Sequence, residues 1–223
     1  MSEDSTEYEP RLVATWLNKR PKKSAGLLIA WMILFVIIAS IAYWNNLDAR
    51  NFMPASRYEV MEQHQYWRLW STLFAHADPG HLLSNSLTFF VVGYFLIGYF
   101  SLWFFPAAAI AIGGVTNWLA LWTYPPEVRL IGISGVVYWM AGAWLVLYFL
   151  LDLTKTRTQR ALRALGVALA VFMPSSAFDP SISYITHLIG FALGVLSGGV
   201  YYFLNKSKFK TAETYEVISL QES

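Results

Sequence analysis

Apolar and polar segments alternate along the chain in a pattern typical of a membrane protein with several spans. A run of about 20 apolar residues crosses a hydrocarbon core of about 30 Å as a helix. The sequence predicts six spanning helices: Gly26 to about Trp44, about Gly80 to Gly98, about Leu102 to Trp122, Ser134 to about Leu151, about Ala161 to Phe172, and a sixth that ends near Leu204. The fold class predicted is an all-α, polytopic membrane protein with six transmembrane helices.

Two of the predicted helices have a recognisable start. Asp78 and Pro79 have the residue types of an N-cap and a first helical position, and Asp179 and Pro180 repeat them before the sixth helix. The segment from Asn45 to about Ala77 is the longest connection, but it is rich in aromatic side chains. Aromatic rings settle at the membrane interface, so we expect this first loop to lie partly in the interface.

The charges divide the chain into three parts and orient it. A polar and basic N-terminal segment (1–24) precedes the six-helix domain (25–204), and a polar C-terminal tail (205–223) follows it. Basic residues concentrate at the two termini and in a predicted loop that contains Lys155, Arg157, Arg160 and Arg163. By the positive-inside rule, both termini are cytoplasmic, while the first loop, the approach to Ser134 and the loop 174–182 face outward.

Composition supports a membrane protein and excludes other classes. The chain is 56% hydrophobic and only 13% charged, against about 25% charged residues in an average soluble domain. It has no cysteine, which excludes disulfides and thiolate chemistry. A formal net charge of +2 gives no indication of nucleic-acid binding.

The candidate chemistry begins with Ser134, which stands between Gly132 and Gly135 where a polar loop meets the fourth helix. A serine there can simply cap the helix. The predicted helix is only about 26 Å long, however, so its start can lie below one membrane surface. Polar side chains at that depth are costly and each is a candidate for function.

Other polar groups are predicted at the same depth. His187 lies about 10 Å into the sixth helix by helical rise. His81 and Asn85 are four residues apart near the start of the second helix and therefore share a face. Four polar groups on three helices thus converge on one level of the bundle.

Small residues predict which helix faces meet. His187, Gly190, Gly194 and Gly198 form one stripe of the sixth helix, and small residues allow close helix approach. On the fourth helix we predict the matching stripe to be Ser134, Tyr138, Ala141, Gly142 and Leu145. Packing of these stripes would bring the serine hydroxyl to the imidazole, with Tyr138 stacked on the ring.

The residue types suit nucleophilic catalysis. A serine hydroxyl attacks well only when a base removes its proton, and histidine titrates near neutral pH. The same imidazolium can then protonate the leaving amine. The oxyanion that develops needs donors, which the backbone N–H of Ser134, the Asn85 amide and His81 can supply.

With these motifs the chain resembles the rhomboid family of intramembrane serine proteases, in its bacterial six-helix form. The resemblance rests on HADPGHLLSN (His76, His81, Asn85), GISG followed by VVY (Gly132, Ser134, Gly135, Tyr138), HLIGFALG (His187, Gly190, Gly194) and YWR in the first loop (Tyr66, Trp67, Arg68). It covers the chain from about Gly26 to Leu204. Each motif is weak alone, but the four in this order across six predicted spans are specific.

The resemblance implies a fold, an activity and a location. It implies a six-helix rhomboid bundle in a bacterial inner membrane, with a Ser134–His187 dyad and an oxyanion hole that includes His81 and Asn85. The substrates implied are transmembrane segments of other proteins, cleaved at or near the outer membrane face within the lipid bilayer. No metal, ATP or other cofactor is implied. Helix five and the loop from about Met173 to Tyr184 are implied as gate and cap.

Some positions have a structural interpretation or depart from the family. His76 is expected to hold the first loop, and Trp67 and Arg68 to anchor it at the interface. Many family members carry a glutamate where this chain has Ile97, which puts the usual polar contacts at that end of the helix in doubt. Asn117 is a buried polar candidate without a predicted partner.

Two other functions stay open at the level of the sequence. A catalytically silent rhomboid-like protein would bind membrane clients without cutting them, although it would most simply lack the serine or the histidine. The second is a metal site built from His76, His81 and His187, with Asp78 as a possible fourth ligand. The chain has no HExxH motif, and metal-bound histidines would not need the Gly-x-Ser-Gly turn.

Overall fold

The computed structural model of the protein describes residues 8–172 and 183–219. Within these residues the structure is mostly helical, with one small sheet at the termini. The elements in chain order are β1 (Tyr8–Ala14), α1 (Ala25–Asn45), α2 (Leu47–Phe52), α3 (Arg68–Ser71), α4 (Pro79–Tyr99), α5 (Ala109–Leu121), α6 (Ser134–Leu151), α7 (Arg157–Phe172), α8 (Tyr184–Leu204), α9 (Lys206–Lys210) and β2 (Thr214–Ser219).

Five helical segments of the described residues are long and apolar enough to cross a membrane: α1, α4, Trp103–Leu121, α6 and α8. The third combines a π-helical turn, Trp103–Ala108, with α5. Four of the predicted spans are therefore present with nearly the predicted bounds, and the sixth ends at Leu204 as predicted. Its predicted start at Asp179 and Pro180 lies outside the described residues.

The predicted count of six spans is not confirmed. The helix predicted fifth, α7, has 16 residues and begins at Arg157, a turn earlier than expected. Arg157, Arg160 and Arg163, which the sequence analysis assigned to a loop, therefore belong to the first half of this helix. The three cations make the first half of α7 polar, so the described part of this helix, Arg157–Phe172, does not form a span by length and composition.

The predicted helix start at Asp78 is confirmed. The side chain of Asp78 accepts from the backbone N–H of His81 at 2.9 Å, and Pro79 is the first helical residue. A cap of this kind satisfies one of the free N–H groups of the first turn. It also fixes where the first turn of α4, with His81, begins.

Helix α6 is the centre of the bundle. In the apolar stretch of α6, 67% of the residues are buried, compared with 22% in α1 and 17% in α8. Its small residues let neighbouring helices approach, and α8 packs closely along it. A side chain on Gly194 would overlap the Trp139 carbonyl oxygen, and one on Gly142 would overlap the Phe191 carbonyl oxygen.

The stripe predicted on α8 is correct, but the one predicted on α6 is displaced by about one residue. Gly190, Gly194 and Gly198 face Gly135, Trp139 and Ala143. Tyr138 and Gly142 do contact α8, as predicted. Gly194 makes room for the backbone of α6 at Trp139, so the identity of the facing residue does not decide this contact, and a pattern based on small residues does not find it.

The chain termini pair with each other, which the sequence analysis did not predict. Strands β1 and β2 form an antiparallel sheet in which Leu12 lies opposite Tyr215. Next to it, the Trp16 ring contacts Phe209 edge to face at 5.3 Å, and Trp16 Nε1 donates to the Tyr99 carbonyl at 3.0 Å. Both termini therefore lie beside the end of α4, at the end of the bundle remote from Ser134.

Candidate active site

The turn that precedes Ser134 is built by a glycine and held by the first loop. Gly132 has a φ of 118°, a conformation that side chains disfavour, and a Cβ there would lie 2.9 Å from His81 Cε1. Its backbone N–H donates to the Thr72 carbonyl at 3.0 Å. The glycine therefore allows both the bend and the close approach of the His81 ring to the serine turn.

Further contacts with the first loop fix the segment before this turn. Ala55 and Leu130 exchange backbone hydrogen bonds of 3.2 and 2.7 Å, and the Thr72 hydroxyl donates to the Leu130 carbonyl at 2.5 Å. Arg129 forms an ion pair of 2.7 Å with the buried carboxylate of Glu59. Non-helical backbone at this depth must be satisfied by protein, and these bonds satisfy it.

Ser134 itself is the first residue of α6 and is 9% exposed. The N-cap position belongs to Ile133, and the Ser134 hydroxyl forms no hydrogen bond with any residue within 8–172 and 183–219. The alternative that Ser134 merely caps the helix therefore has no supporting contact. Val136 and Val137 already donate to the Ile133 carbonyl, so the N–H groups of Ser134 and Gly135 are the ones at the helix start that can act as donors.

Helix α8 brings His187 to this position. The His187 ring stacks on Tyr138 with a centroid distance of 4.0 Å and an interplanar angle of 9°, the stacking expected from the sequence. On the adjacent faces, a Cβ on Gly135 would lie 3.0 Å from Thr186 Cγ2, and one on Gly190 would overlap the Gly135 carbonyl oxygen. Residues that adjoin Ser134 and His187 thus touch directly.

The serine and the imidazole are not hydrogen-bonded to each other in the part of the chain that the structure describes. Such bonds in serine enzymes often tighten only when the substrate is bound. The stacking on Tyr138 fixes the plane of the imidazole.

The start of α8 is tied to the loop after α5. The Tyr124 and Ser183 hydroxyls lie 2.8 Å apart, and Ser183 also bonds the hydroxyl of Thr186. These bonds fix the turn of α8 that carries His187. The sequence gives no signal for the contact of Tyr124 with Ser183, because α6 and α7 separate these residues along the chain and no local spacing relates them.

Asn85 has the environment of a donor without an acceptor. Its side chain is 7% exposed, and its amide nitrogen Nδ2 is buried with no partner among the described residues. Buried polar groups are usually paired, so an unpaired amide calls for an explanation. His81, one turn earlier on α4, contacts the serine turn as described above, which fits two donors on one face of α4.

His76 lies behind His81 and is fully buried, with 0% exposure. Its Nδ1 is 3.0 Å from the Ser40 hydroxyl of α1, and its carbonyl accepts from Trp44 Nε1 at 2.7 Å. Burial, and to a smaller degree the neighbouring His81, lower the pKa of His76 to about 4, so the ring is neutral at pH 7. These contacts agree with a role in holding the loop, with α1 as its partner.

The other residues of the first loop behave as anchors. Arg68 donates to the carbonyls of Phe52 and Pro54 at 3.0 and 2.8 Å and lies 3.7 Å from the Glu59 carboxylate. The Trp67 ring stacks on Phe52 at 5.8 Å. Both side chains therefore bind the loop to itself, while their predicted position at the membrane interface stays a prediction.

Two polar questions raised by the sequence have structural answers. Asn117 Nδ2 donates to the Leu69 carbonyl at 2.8 Å, so its partner is the first loop. Ile97, where the resemblance led us to expect a change of polar contacts, has 0% exposure and packs in the apolar core.

The rival metal site finds no support in the geometry. The described residues contain no group of three histidine, cysteine or carboxylate side chains arranged to hold a metal ion. One nitrogen of His76 is already engaged with Ser40, and His187 stacks on Tyr138.

The implied cap, from about Met173 to Tyr184, falls mostly on residues 173–182, outside the described residues.

Comparison with known proteins places this arrangement in context. Residues 63–203 match the family model described as Rhomboid domain, which is more than half of the chain. No curated protein matches the chain in a sequence search. The matched region contains every residue discussed above as nucleophile, base or oxyanion donor.

Proposed function

Because the chain belongs to the rhomboid family, we propose that it is an intramembrane serine endopeptidase in which Ser134 is the nucleophile and His187 the general base. The observation that carries the proposal is the convergence of three elements. Gly135, next to Ser134, contacts Thr186 and Gly190 of the helix that carries His187, and His81 lies against the turn before the serine; these contacts support the proposal.

The chemistry follows from these positions. His187 accepts the hydroxyl proton as Ser134 Oγ attacks the carbonyl carbon of the scissile peptide, and the imidazolium then protonates the leaving amine. The resulting acyl-enzyme is hydrolysed when His187 removes a proton from water. During both steps the oxyanion accepts from the Ser134 backbone N–H, from Asn85 Nδ2 and from His81.

The substrates proposed are transmembrane segments of other membrane proteins, which enter laterally from the bilayer. The protein is an integral membrane protein with several spans. We propose that it resides in a bacterial inner membrane with cytoplasmic termini, which puts Ser134 on the outward side. The basic termini and the basic first half of α7 support this orientation.

The test is cleavage of a model transmembrane substrate by the purified chain in lipid. Ser134→Ala and His187→Ala are each expected to abolish cleavage while the thermal unfolding curve is retained. A fluorophosphonate should label the parent protein and fail to label Ser134→Ala, and a chelator should leave cleavage unchanged. Normal turnover by folded Ser134→Ala would contradict the proposal. A folded parent protein that is neither labelled nor active would favour the alternative of a catalytically silent protein that binds membrane clients.

A further inference from the structure

A cavity of about 300 Å³ lies at the end of the bundle remote from Ser134. Helix α6 lines it with Trp144, Tyr148 and Asp152, each one turn beyond the last, and α4 lines it with Phe95 and Tyr99. The cavity therefore extends from the helix ends inward by about 10 Å at 1.5 Å per residue. Because α6 has 18 residues and is about as long as the hydrocarbon core is thick, the rim of the cavity at its end lies where phospholipid headgroups meet that core.

One wall of the cavity is a continuous set of aromatic rings. Phe95 stacks on Trp144 with centroids 5.0 Å apart and on Tyr99 with centroids 6.4 Å apart. Trp144 and Tyr99 are themselves 6.1 Å apart. Aromatic faces attract cations, most strongly where water is excluded.

The rim of the cavity carries one acidic and one basic side chain. Asp152 and Lys155 both line the cavity, and both are partly buried. Asp152 accepts from the Thr154 hydroxyl at 2.7 Å, which orients the carboxylate. Neither Asp152 nor Lys155 forms an ion pair within the described residues, although they are only three positions apart.

The N-terminal segment closes the cavity from the third side. Leu17 and Asn18 line it, and the neighbouring Trp16 is bonded to the end of α4. The walls thus come from four parts of the chain: the N-terminal segment, α4, α6 and the connection after α6. Such a site is held in shape by the fold and does not depend on a single loop.

We propose that this cavity binds the headgroup of a phospholipid that carries both a phosphate and a primary ammonium group. The ammonium lies between Asp152 and the aromatic wall, and the phosphate accepts from Lys155. A primary ammonium offers hydrogen bonds to the carboxylate, which a quaternary ammonium does not. An anionic headgroup without an ammonium places its phosphate near the Asp152 carboxylate, whose only cation near the cavity among the described residues besides Lys155 is the exposed Arg163, and this like-charge approach disfavours it. The acyl chains then follow the exposed apolar surface of the bundle.

Lipid binding to the full chain in detergent, measured by native mass spectrometry, tests the proposal without reference to cleavage. The probes are phosphatidylethanolamine, phosphatidylcholine and phosphatidylglycerol with identical acyl chains. The parent protein is expected to bind phosphatidylethanolamine about tenfold more tightly than phosphatidylglycerol, the factor that corresponds to about 1.4 kcal/mol. Phosphatidylcholine should lie between them. Equal affinity for all three lipids overturns the proposal, and this comparison requires no variant.

Two variants assign the contacts. Asp152→Asn should reduce the affinity for phosphatidylethanolamine to that for phosphatidylglycerol, whereas Lys155→Ala should weaken the binding of all three lipids. Glu216→Gln and Lys206→Ala are the controls, because these exposed residues lie on the same side of the bundle and outside the cavity. Unchanged lipid selectivity in folded Asp152→Asn contradicts the proposal. If Asp152→Asn keeps its lipid binding but no longer binds a lysine-containing peptide, the proposal is also wrong. The cavity would then bind a basic side chain of a protein partner.

Discussion

Two buried asparagines, Asn85 and Asn117, stand in opposite situations at the scale of single residues. Both are almost fully enclosed, at 7% and 3% exposure. Asn117 donates to the Leu69 carbonyl and so joins α5 to the first loop. Asn85 Nδ2 has no partner among the described residues, and its side chain points to a function that is satisfied only by a bound group.

Alanine at these two positions should therefore separate catalysis from stability. Asn85→Ala removes an unpaired donor, so we expect the free energy of unfolding to change little and turnover to fall by about 10²- to 10³-fold. Asn117→Ala leaves the Leu69 carbonyl unpaired, so we expect a loss of about 1–3 kcal/mol of stability. Cleavage kinetics and thermal unfolding of both variants, measured in the same lipid, check the prediction.

The result that would contradict this assignment is a reversal of the two effects. If Asn85→Ala unfolds far more easily than the parent protein but cleaves normally once folded, Asn85 is a packing residue. If Asn117→Ala loses turnover with unchanged stability, the bond to Leu69 has no role in holding the loop. Asn85 and Asn117 serve as each other's control, since both substitutions remove a buried amide.

The residues that could be predicted from sequence are those with a local signature. Ser134 lies between glycines, and His81 and Asn85 follow a capped helix start at helical spacing. The bond from Arg129 to Glu59 and the bond from Asn117 to Leu69 could not be predicted in this way, because they join residues 70 and 48 positions apart. Hydrogen bonds of this range depend on how the first loop folds, and hydropathy patterns carry no information on that.

At the scale of elements, the packing of α6 against α8 decides whether Ser134 and His187 can meet. The stripe of small residues on α8 is enough to predict the contact, because glycines allow the backbones to touch. It does not predict the facing residue, since Gly194 contacts the backbone of Trp139 and backbone atoms are the same for every residue type. The hydrogen bond from Trp139 Nε1 to Ser197, 3.1 Å long, then fixes the orientation of the indole.

Substitution of one glycine in α8 should test this packing. A Cβ on Gly194 would overlap a backbone carbonyl, which has no freedom to rotate away. We expect Gly194→Ala to cost about 1–3 kcal/mol of stability and to reduce cleavage, because α8 and His187 must shift outward. Unfolding and cleavage assays report the two effects.

Gly199→Ala is the matched control for Gly194→Ala. Gly199 lies in the same helix, and an added Cβ meets no atom within 4 Å. Alanine is the better helix former by up to about 1 kcal/mol, so this variant should be as stable as the parent protein or slightly more stable. Equal behaviour of the two variants would show that the close approach of α8 to Trp139 is not needed.

At the scale of the whole molecule, the terminal segments form a structure that the sequence did not predict. Strands β1 and β2 have 7 and 6 residues and mix apolar with charged side chains, so neither has the pattern of a buried strand. Each residue of β1 and the residue of β2 that pairs with it are about 200 positions apart along the chain. The apolar side chain of Phe209, 4% exposed, and the ring of Trp16 join this sheet to the helices.

Cross-linking should reveal this pairing directly, because the chain has no native cysteine. Leu12 and Tyr215 are opposite each other in the antiparallel register, so their Cα atoms lie within the range of about 4.4–6.8 Å that a disulfide spans. We expect Leu12→Cys/Tyr215→Cys to oxidise readily in the folded protein and to raise the free energy of unfolding, since the bond closes a loop that contains nearly the whole chain. Leu12→Cys/Ile218→Cys is the mismatched control. Ile218 pairs with Glu9, which lies three positions from Leu12 along β1 and therefore on the opposite face of the sheet. Equal oxidation of both pairs, measured by thiol labelling of the folded protein, would mean that the termini meet without a fixed register and do not clamp the end of α4.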